Sequence, residues 1–211
     1  MKTNIKLILI PVLCVFLICC SKKTYNPDWV YEIAPPSYNA RFETSKGFFE
    51  LQVTRSWSPL AADRLYQMLK LKFYDNTLIY RVVPNFVVQF GNMDTVITKK
   101  MEAHKLADEP VLKSNLKGFV SYARAGKETR GNDLFINLRD NQRLDTVHVE
   151  GVVGYPVLGK ITKGMDVVES FYAQYGNKTL EVYDSLSPNR PKFQQLFPML
   201  DSIKRAYIIK N

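Results

Sequence analysis

The sequence predicts a mainly β protein, a closed antiparallel β-barrel capped by two α-helices. Three observations carry this reading. Short apolar runs recur along the chain between Gly, Asn, Asp and Pro, only two stretches space their apolar residues as a helix does, and the final residues regain strand character. With 211 residues, 46% of them hydrophobic, the chain has material for one domain core and its appendages. Ten Gly and three Cys exclude a collagen-like or disulfide-scaffold protein.

Taken in order, residues 41–44 and 49–53 alternate on either side of Ser45-Lys46-Gly47 and predict a hairpin. Ser58-Pro59 starts a helix, Ser as N-cap and Pro at the first helical position. Leu65, Met68 and Leu69 then fall on one face, and the helix runs to about Leu71. Strands follow at residues 78–83, 86–89, 118–123, 134–137 and 157–161. A second helix is expected over residues 165–175, where Met165, Val168 and Tyr172 recur at helical spacing and Gly176 ends it. Residues 177–198 are polar and Pro-rich and read as an insertion, spanning about 177–200, before a closing strand over residues 202–210.

At the N-terminus, Lys2 and Lys6 precede an apolar run over residues 7–18, which is too short to span a bilayer and reads as an export signal. All three Cys (Cys14, Cys19 and Cys20) lie in this segment, so no disulfide staples the domain. The stretch Leu17-Ile18-Cys19-Cys20 resembles a bacterial lipoprotein signal, which implies cleavage after residue 19 and lipidation of Cys20. Loss of residues 1–19 lowers the formal charge from +9 to +7. Residues 20–38, with Pro27, Pro35 and Pro36, read as the lipidated Cys and a flexible tether, and the domain as residues 39–211. The basic residues are scattered rather than striped, so no nucleic-acid partner is expected.

The run Tyr74-Asp75-Asn76-Thr77-Leu78-Ile79-Tyr80-Arg81-Val82-Val83-Pro84-Asn85-Phe86-Val87-Val88-Gln89-Phe90-Gly91 resembles the signature of cyclophilin-type peptidyl-prolyl isomerases. Three later segments reinforce it in the same order. They are Gly118-Phe119-Val120-Ser121-Tyr122-Ala123-Arg124-Ala125, Gly131-Asn132-Asp133-Leu134-Phe135-Ile136-Asn137, and Leu158-Gly159-Lys160-Ile161 with Gly164-Met165-Asp166-Val167-Val168. The wording after Thr129 is similar to a divergent bacterial branch. The resemblance implies a cyclophilin-like barrel and rotation of X-Pro bonds.

The chemistry suits such a site. Amide resonance sets a barrier of roughly 20 kcal/mol to X-Pro rotation, and a catalyst lowers it by stabilising the twisted amide, whose nitrogen accepts a hydrogen bond. No nucleophile, metal or cofactor is required. Arg81 is the candidate donor, because a guanidinium is always charged and offers a rigid fork. The resemblance implies that Gln89 binds the substrate backbone or holds the Arg, that Phe86, Val87, Phe135 and Leu144 line the proline pocket, and that Ala123 gives the peptide room. Strand alternation puts Arg81 with Val83 on one face and Val87 with Gln89 on another.

Several positions depart from the family pattern. Tyr80 stands where the family has His, Arg124 where it has Asn, Asp133 where it has Gln, and Arg143 where it has Trp. Asp133 is expected in the groove, pairing with Arg81 to hold or neutralise it. Tyr155 is the nearest candidate for the pocket His, with His148 the alternative. The missing Trp resembles branches inhibited weakly by the family's cyclic peptide.

Together these readings predict a monomeric, lipid-anchored isomerase of the bacterial cell envelope, facing the periplasm, that acts on proline-containing segments of exported proteins. The alternative is a lipoprotein that binds proline peptides with little or no catalysis, motivated by Tyr80, Asp133 and Arg143. A hydrolase finds no support. His104 and His148 lack metal-ligand spacing, and the sequence holds no Gly-x-Ser-x-Gly elbow.

Overall fold

The computed structural model of the chain describes residues 27–91, 98–100, 103–186 and 189–209. The signal over residues 1–19 and Cys20 lie outside the described residues. From residue 27 the expected tether is docked. A 3-10 turn spans Pro27–Tyr31, Gln67 Nε2 donates to the carbonyls of Val30 (3.2 Å) and Glu32 (2.7 Å), and Ala34, buried, donates its N–H to Asp63 at 2.9 Å. The first strand begins at Ser37, two residues before the expected domain start.

Strands β1 (Ser37–Thr44) and β2 (Gly47–Thr54) form the expected hairpin, Phe42 opposite Phe49. The turn requires Gly47, whose φ of 133° is closed to residues with a Cβ. Helix α1 (Pro59–Lys70) buries Ala61, Leu65, Met68 and Leu69 along one stripe. Its cap differs from expectation. Ser58 makes no capping bond to the helix; its hydroxyl donates to Glu109 at 2.5 Å, and Glu109 accepts the Leu60 and Ala61 N–H groups at 2.8 and 3.3 Å. A carboxylate at a helix N-terminus satisfies free donors and meets the positive end of the dipole.

Strands β3 (Thr77–Val83), β4 (Val87–Gly91), β5 (Phe119–Tyr122) and β6 (Leu134–Asn137) follow, then the two-stranded β7 (His148–Val149) and β8 (Val152–Val153), and β9 (Val157–Lys163). Helix α2 covers only Met165–Glu169, not residues 165–175. Beyond it Asp201 takes the Tyr172 N–H at 2.8 Å, a bond no helix offers, while Phe171 turns into the core.

The insertion is not an irregular tail. It contains α3 (Leu180–Leu186) and α4 (Arg190–Leu196), the latter capped by Asn189 Oδ1 accepting from Lys192 N at 3.2 Å. Pro191 lies in the first turn of α4, where a missing N–H costs nothing. Phe193 is fully buried and packs with Leu78 and Tyr80 of β3, joined by Val182, Tyr183, Leu186, Phe197 and Leu200.

The last strand, β10 (Ser202–Ile208), lies between β1 and β3 and closes an eight-stranded barrel in the order β1-β10-β3-β4-β6-β5-β9-β2. Inside it, Phe42 stacks on Phe49 at 4.9 Å and meets Phe90 edge-on at 5.7 Å, with Leu51, Val88, Val120, Leu134, Ile136 and Ile203 around them. The interior is filled with side chains, so function belongs to the outer face.

Candidate active site

Register places the candidate residues. Arg81 pairs with Gln89, Gln89 with Phe135 and Phe135 with Ser121, so a single row crosses β3, β4, β6 and β5. Paired residues share a face, and Val83 opposite Val87 joins the same side. The two faces inferred from alternation are therefore one.

A bulge between Leu78 and Arg81 changes what β3 presents. Three steps on β3 match two on β4, so Ile79 and Val82 both enter the barrel core while Leu78 and Tyr80 join the outer cluster with Phe193. Tyr80 and Arg81, neighbours in sequence, thus serve the same outer face. An extra residue in one strand re-aims side chains in this way.

The groove on this face has a volume of about 790 Å³. Its floor is a satellite cluster of buried Val87, Phe135 and Leu144 with Phe86, Ala123, Val147 and Tyr155 against it. The Tyr155 ring meets Phe135 edge-on at 5.5 Å. All the residues expected to line the pocket are brought together. His148 is not among them; it is exposed on β7 and lines no part of the groove.

Below the floor a buried polar network fixes the loops. Asn115, fully buried, donates to Asp145 (2.8 Å) and to the Tyr155 carbonyl (2.9 Å), and its Oδ1 accepts from Ser121 and Asn137, both at 3.1 Å. Asn141 donates to Asn137 (2.8 Å) and to the Phe86 carbonyl (2.9 Å). The loops carrying Phe86, Leu144 and Tyr155 are thereby tied to one scaffold. Sequence reading missed this network, since Asn in loops is unremarkable one residue at a time.

Arg81 Nη1 donates to Gln89 Oε1 at 2.9 Å, and Gln89 Nε2 donates to Tyr80 Oη at 2.6 Å. Burial lowers the Arg81 pKa from its usual value, which leaves a guanidinium charged at any working pH. Its central carbon lies 5.6 Å from the Phe86 ring, and that of Arg143 lies 4.8 Å from the same ring. Arg143 is exposed at the rim. Arg124 also lines the groove, donating to Asp108 at 3.2 Å and to the Gly154 carbonyl while its guanidinium lies 5.1 Å from the Tyr155 ring.

Asp133 lies in the groove but does not pair with Arg81: among the described residues no ion pair joins them. Its carboxyl is packed against the Gly91 backbone, where a Cβ on Gly91 would overlap Oδ1. Burial pushes this acid up to about 7. Burial and then the Asp133 charge also raise the Tyr80 hydroxyl. The expected pairing with Arg81 is therefore absent, and Gln89 and Asn177 accept from Nη1 and Nε instead.

Several groove residues escaped sequence reading. Leu180 and Tyr183 come from α3, across the chain from the motif, and only packing brings them to the groove. Among the described residues no group of three or more His, Cys, Asp or Glu is placed to hold a metal ion.

The comparisons with known proteins agree with this fold. Residues 39–185 match the family model described as "Cyclophilin type peptidyl-prolyl cis-trans isomerase/CLD". A peptidyl-prolyl cis-trans isomerase of Acinetobacter baylyi is 32% identical over 129 residues, 60% of this chain and 68% of that one. Peptidyl-prolyl cis-trans isomerase A of Dickeya dadantii is 30% identical over 166 residues, 75% of this chain and 82% of that one. A Cryptosporidium parvum cyclophilin-type isomerase, solved in the presence of the dipeptide Ala-Pro, superposes with a TM-score of 0.59 at 20% identity, covering 82% of this chain and 99% of that one. The chain belongs to the cyclophilin-type peptidyl-prolyl cis-trans isomerases. It is an enzyme of the prolyl-isomerase type, with the barrel of that family.

Proposed function

We propose that this chain is a lipid-anchored isomerase of the bacterial cell envelope that turns X-Pro bonds in exported proteins, with Arg81 as its hydrogen-bond donor. The observation that carries the site assignment is the pairing of the Arg81 guanidinium with Gln89 beside the apolar floor of Val87, Phe135 and Leu144. A proline ring seated on that floor puts its amide within reach of a fixed cation. The cation then hydrogen-bonds the substrate carbonyl or the nitrogen lone pair that develops as the amide twists. Phe86, Ala123 and Tyr155 complete the pocket wall, and Gln89 holds the Arg81 fork. The Ala-Pro dipeptide present with the Cryptosporidium relative supports a proline-peptide occupant. Asp133 contributes a carboxyl packed against the Gly91 backbone rather than a partner for the cation.

The envelope address rests on the export signal, the Leu17-Ile18-Cys19-Cys20 stretch and the short segment that follows. Several acyl chains on Cys20 anchor a protein more durably than one chain does.

Exchange NMR on a short Ala-Pro peptide tests the site, with the wild type and Arg81→Ala as catalysts. Acceleration that disappears in the variant supports the assignment. Equal acceleration by both overturns Arg81 as the donor, and none from a folded wild type would favour a peptide-binding lipoprotein. Labelled fatty acid incorporated into the wild type and lost in Cys20→Ser supports the anchor, and an unlabelled wild type rejects it.

A further inference from the structure

Arg81 is gripped at two atoms, and the grips come from different parts of the fold. Nη1 meets Gln89 on the neighbouring strand, while Nε donates to Asn177 Oδ1 at 2.8 Å. Among the described residues Nη2 has no hydrogen-bond partner, so a donor is left for substrate. Asn177 opens the insertion. It stands between Gly176, whose φ of 54° turns the chain sharply, and fully buried Thr179, and its carbonyl accepts the Leu180 N–H at the head of α3.

The second grip is also backed by the insertion. Gln89 presents its oxygen to Arg81 because its nitrogen is committed to Tyr80 Oη. Tyr80 is held by Tyr183 of α3, their ring centroids 4.3 Å apart, and Tyr183 meets Phe193 of α4 edge-on at 6.2 Å. The family match ends at residue 185, before α4 begins, so the outer part of this brace lies beyond it.

We propose that the insertion is part of the catalytic apparatus, with Asn177 and Tyr80 as positioning residues that fix the Arg81 fork from two sides. The inference rests on Arg81 as the donor. An unbraced guanidinium samples many rotamers, and a displacement of about 1 Å at a reacting group can cost about a hundredfold in rate. A pair of acceptors at Nε and Nη1 leaves the side chain one orientation. An insertion that merely covered the barrel would stabilise the fold without touching turnover.

The test uses the full chain in detergent and exchange NMR over a range of peptide concentrations, which separates kcat from KM. Asn177→Ala and Tyr80→Phe each remove one polar group and keep the surrounding packing. Each is expected to lower kcat about three- to tenfold with KM within about twofold and the melting temperature nearly unchanged. Asn177→Asp, which keeps the acceptor, is expected to restore turnover. In an Arg81→Ala background neither substitution is expected to lower the rate further. Wild-type kcat in both variants overturns the inference, as do undiminished losses in the Arg81→Ala background. If Arg81→Ala itself matches the wild type, the donor assignment fails first, and that result is distinct from the other two.

Discussion

At the scale of single residues, Arg81 and Asp133 show how neighbours decide what a charged side chain does. The Arg81 cation sits beside the apolar floor with its Nη1 on Gln89. Arg81→Ala is expected to cut prolyl isomerisation at least tenfold, about 1.4 kcal/mol of transition-state stabilisation, as measured by exchange NMR. Asp133 is the converse case, an acid that the fold prefers protonated, with a pKa pushed up to about 7 by burial. The unfolded chain releases that proton near pH 4, so the folded state binds more protons over roughly pH 4 to 7. Stability linked to this group is full below about pH 4 and is lost as pH rises through about 7. Asp133→Asn is therefore expected to gain in melting temperature over the wild type as pH is raised from 4 to 8. A gap that stays constant across that range would show that the carboxyl is not buried in this way.

At the scale of elements, local devices aim and anchor the groove. The bulge in β3 turns Tyr80 and Arg81 to one side, which strict alternation forbids. The N-terminus of α1 is closed by Glu109, which also receives Arg130 at 3.0 Å, so one carboxylate fixes the helix and the loop between β5 and β6. Glu109→Ala removes the cap and leaves Arg130 buried with one partner fewer; a loss of about 2 to 4 kcal/mol in urea unfolding is expected. Asn115 links three parts of the groove floor. Asn115→Ala leaves buried polar atoms on Ser121, Asn137 and Asp145 without this partner, with an expected loss of about 1 to 3 kcal/mol. Peptide affinity should fall with it, read by NMR titration, because Leu144 and Tyr155 lose their common support.

At the scale of the whole molecule, β10 and the insertion tie the two ends of the chain to the site. β10 pairs with β1 through most of its length and with β3 at Ser202 and Ile203, next to the strand that carries Arg81. Phe42 lies where β1, β2 and β10 enclose the core, so Phe42→Ala is expected to cost about 3 to 5 kcal/mol in denaturant unfolding. The docking of residues 27–38 on α1 leaves residues 20–26 as the link to the proposed anchor. Seven residues reach at most about 25 Å, so the proposed lipidation of Cys20 would hold the domain close to the membrane. Cys20→Ser is expected to move the protein from the membrane to the soluble fraction with its isomerase rate unchanged.

The sequence by itself determined the barrel, the hairpin, the main helix and the motif around Arg81, because alternation, turn residues and spacing are local and repeat at short range. It also named Val87, Phe135 and Leu144 of the apolar floor, the first two inside the motif segments and Leu144 through the family resemblance, but not Val147. It misread residues 165–175, where a helical pattern was broken by a bond from Asp201, and it assigned no helices to residues 177–200, where a Pro-rich stretch formed two helices packed on β3. It named Gln89 as a holder of Arg81 but missed Asn177, and it paired Asp133 with Arg81 where the described residues show no ion pair. Those outcomes belong to the tertiary structure, because a hydrogen bond between residues 81 and 177 depends on which surfaces the folded barrel brings together, and nothing in the local pattern of either segment encodes the other.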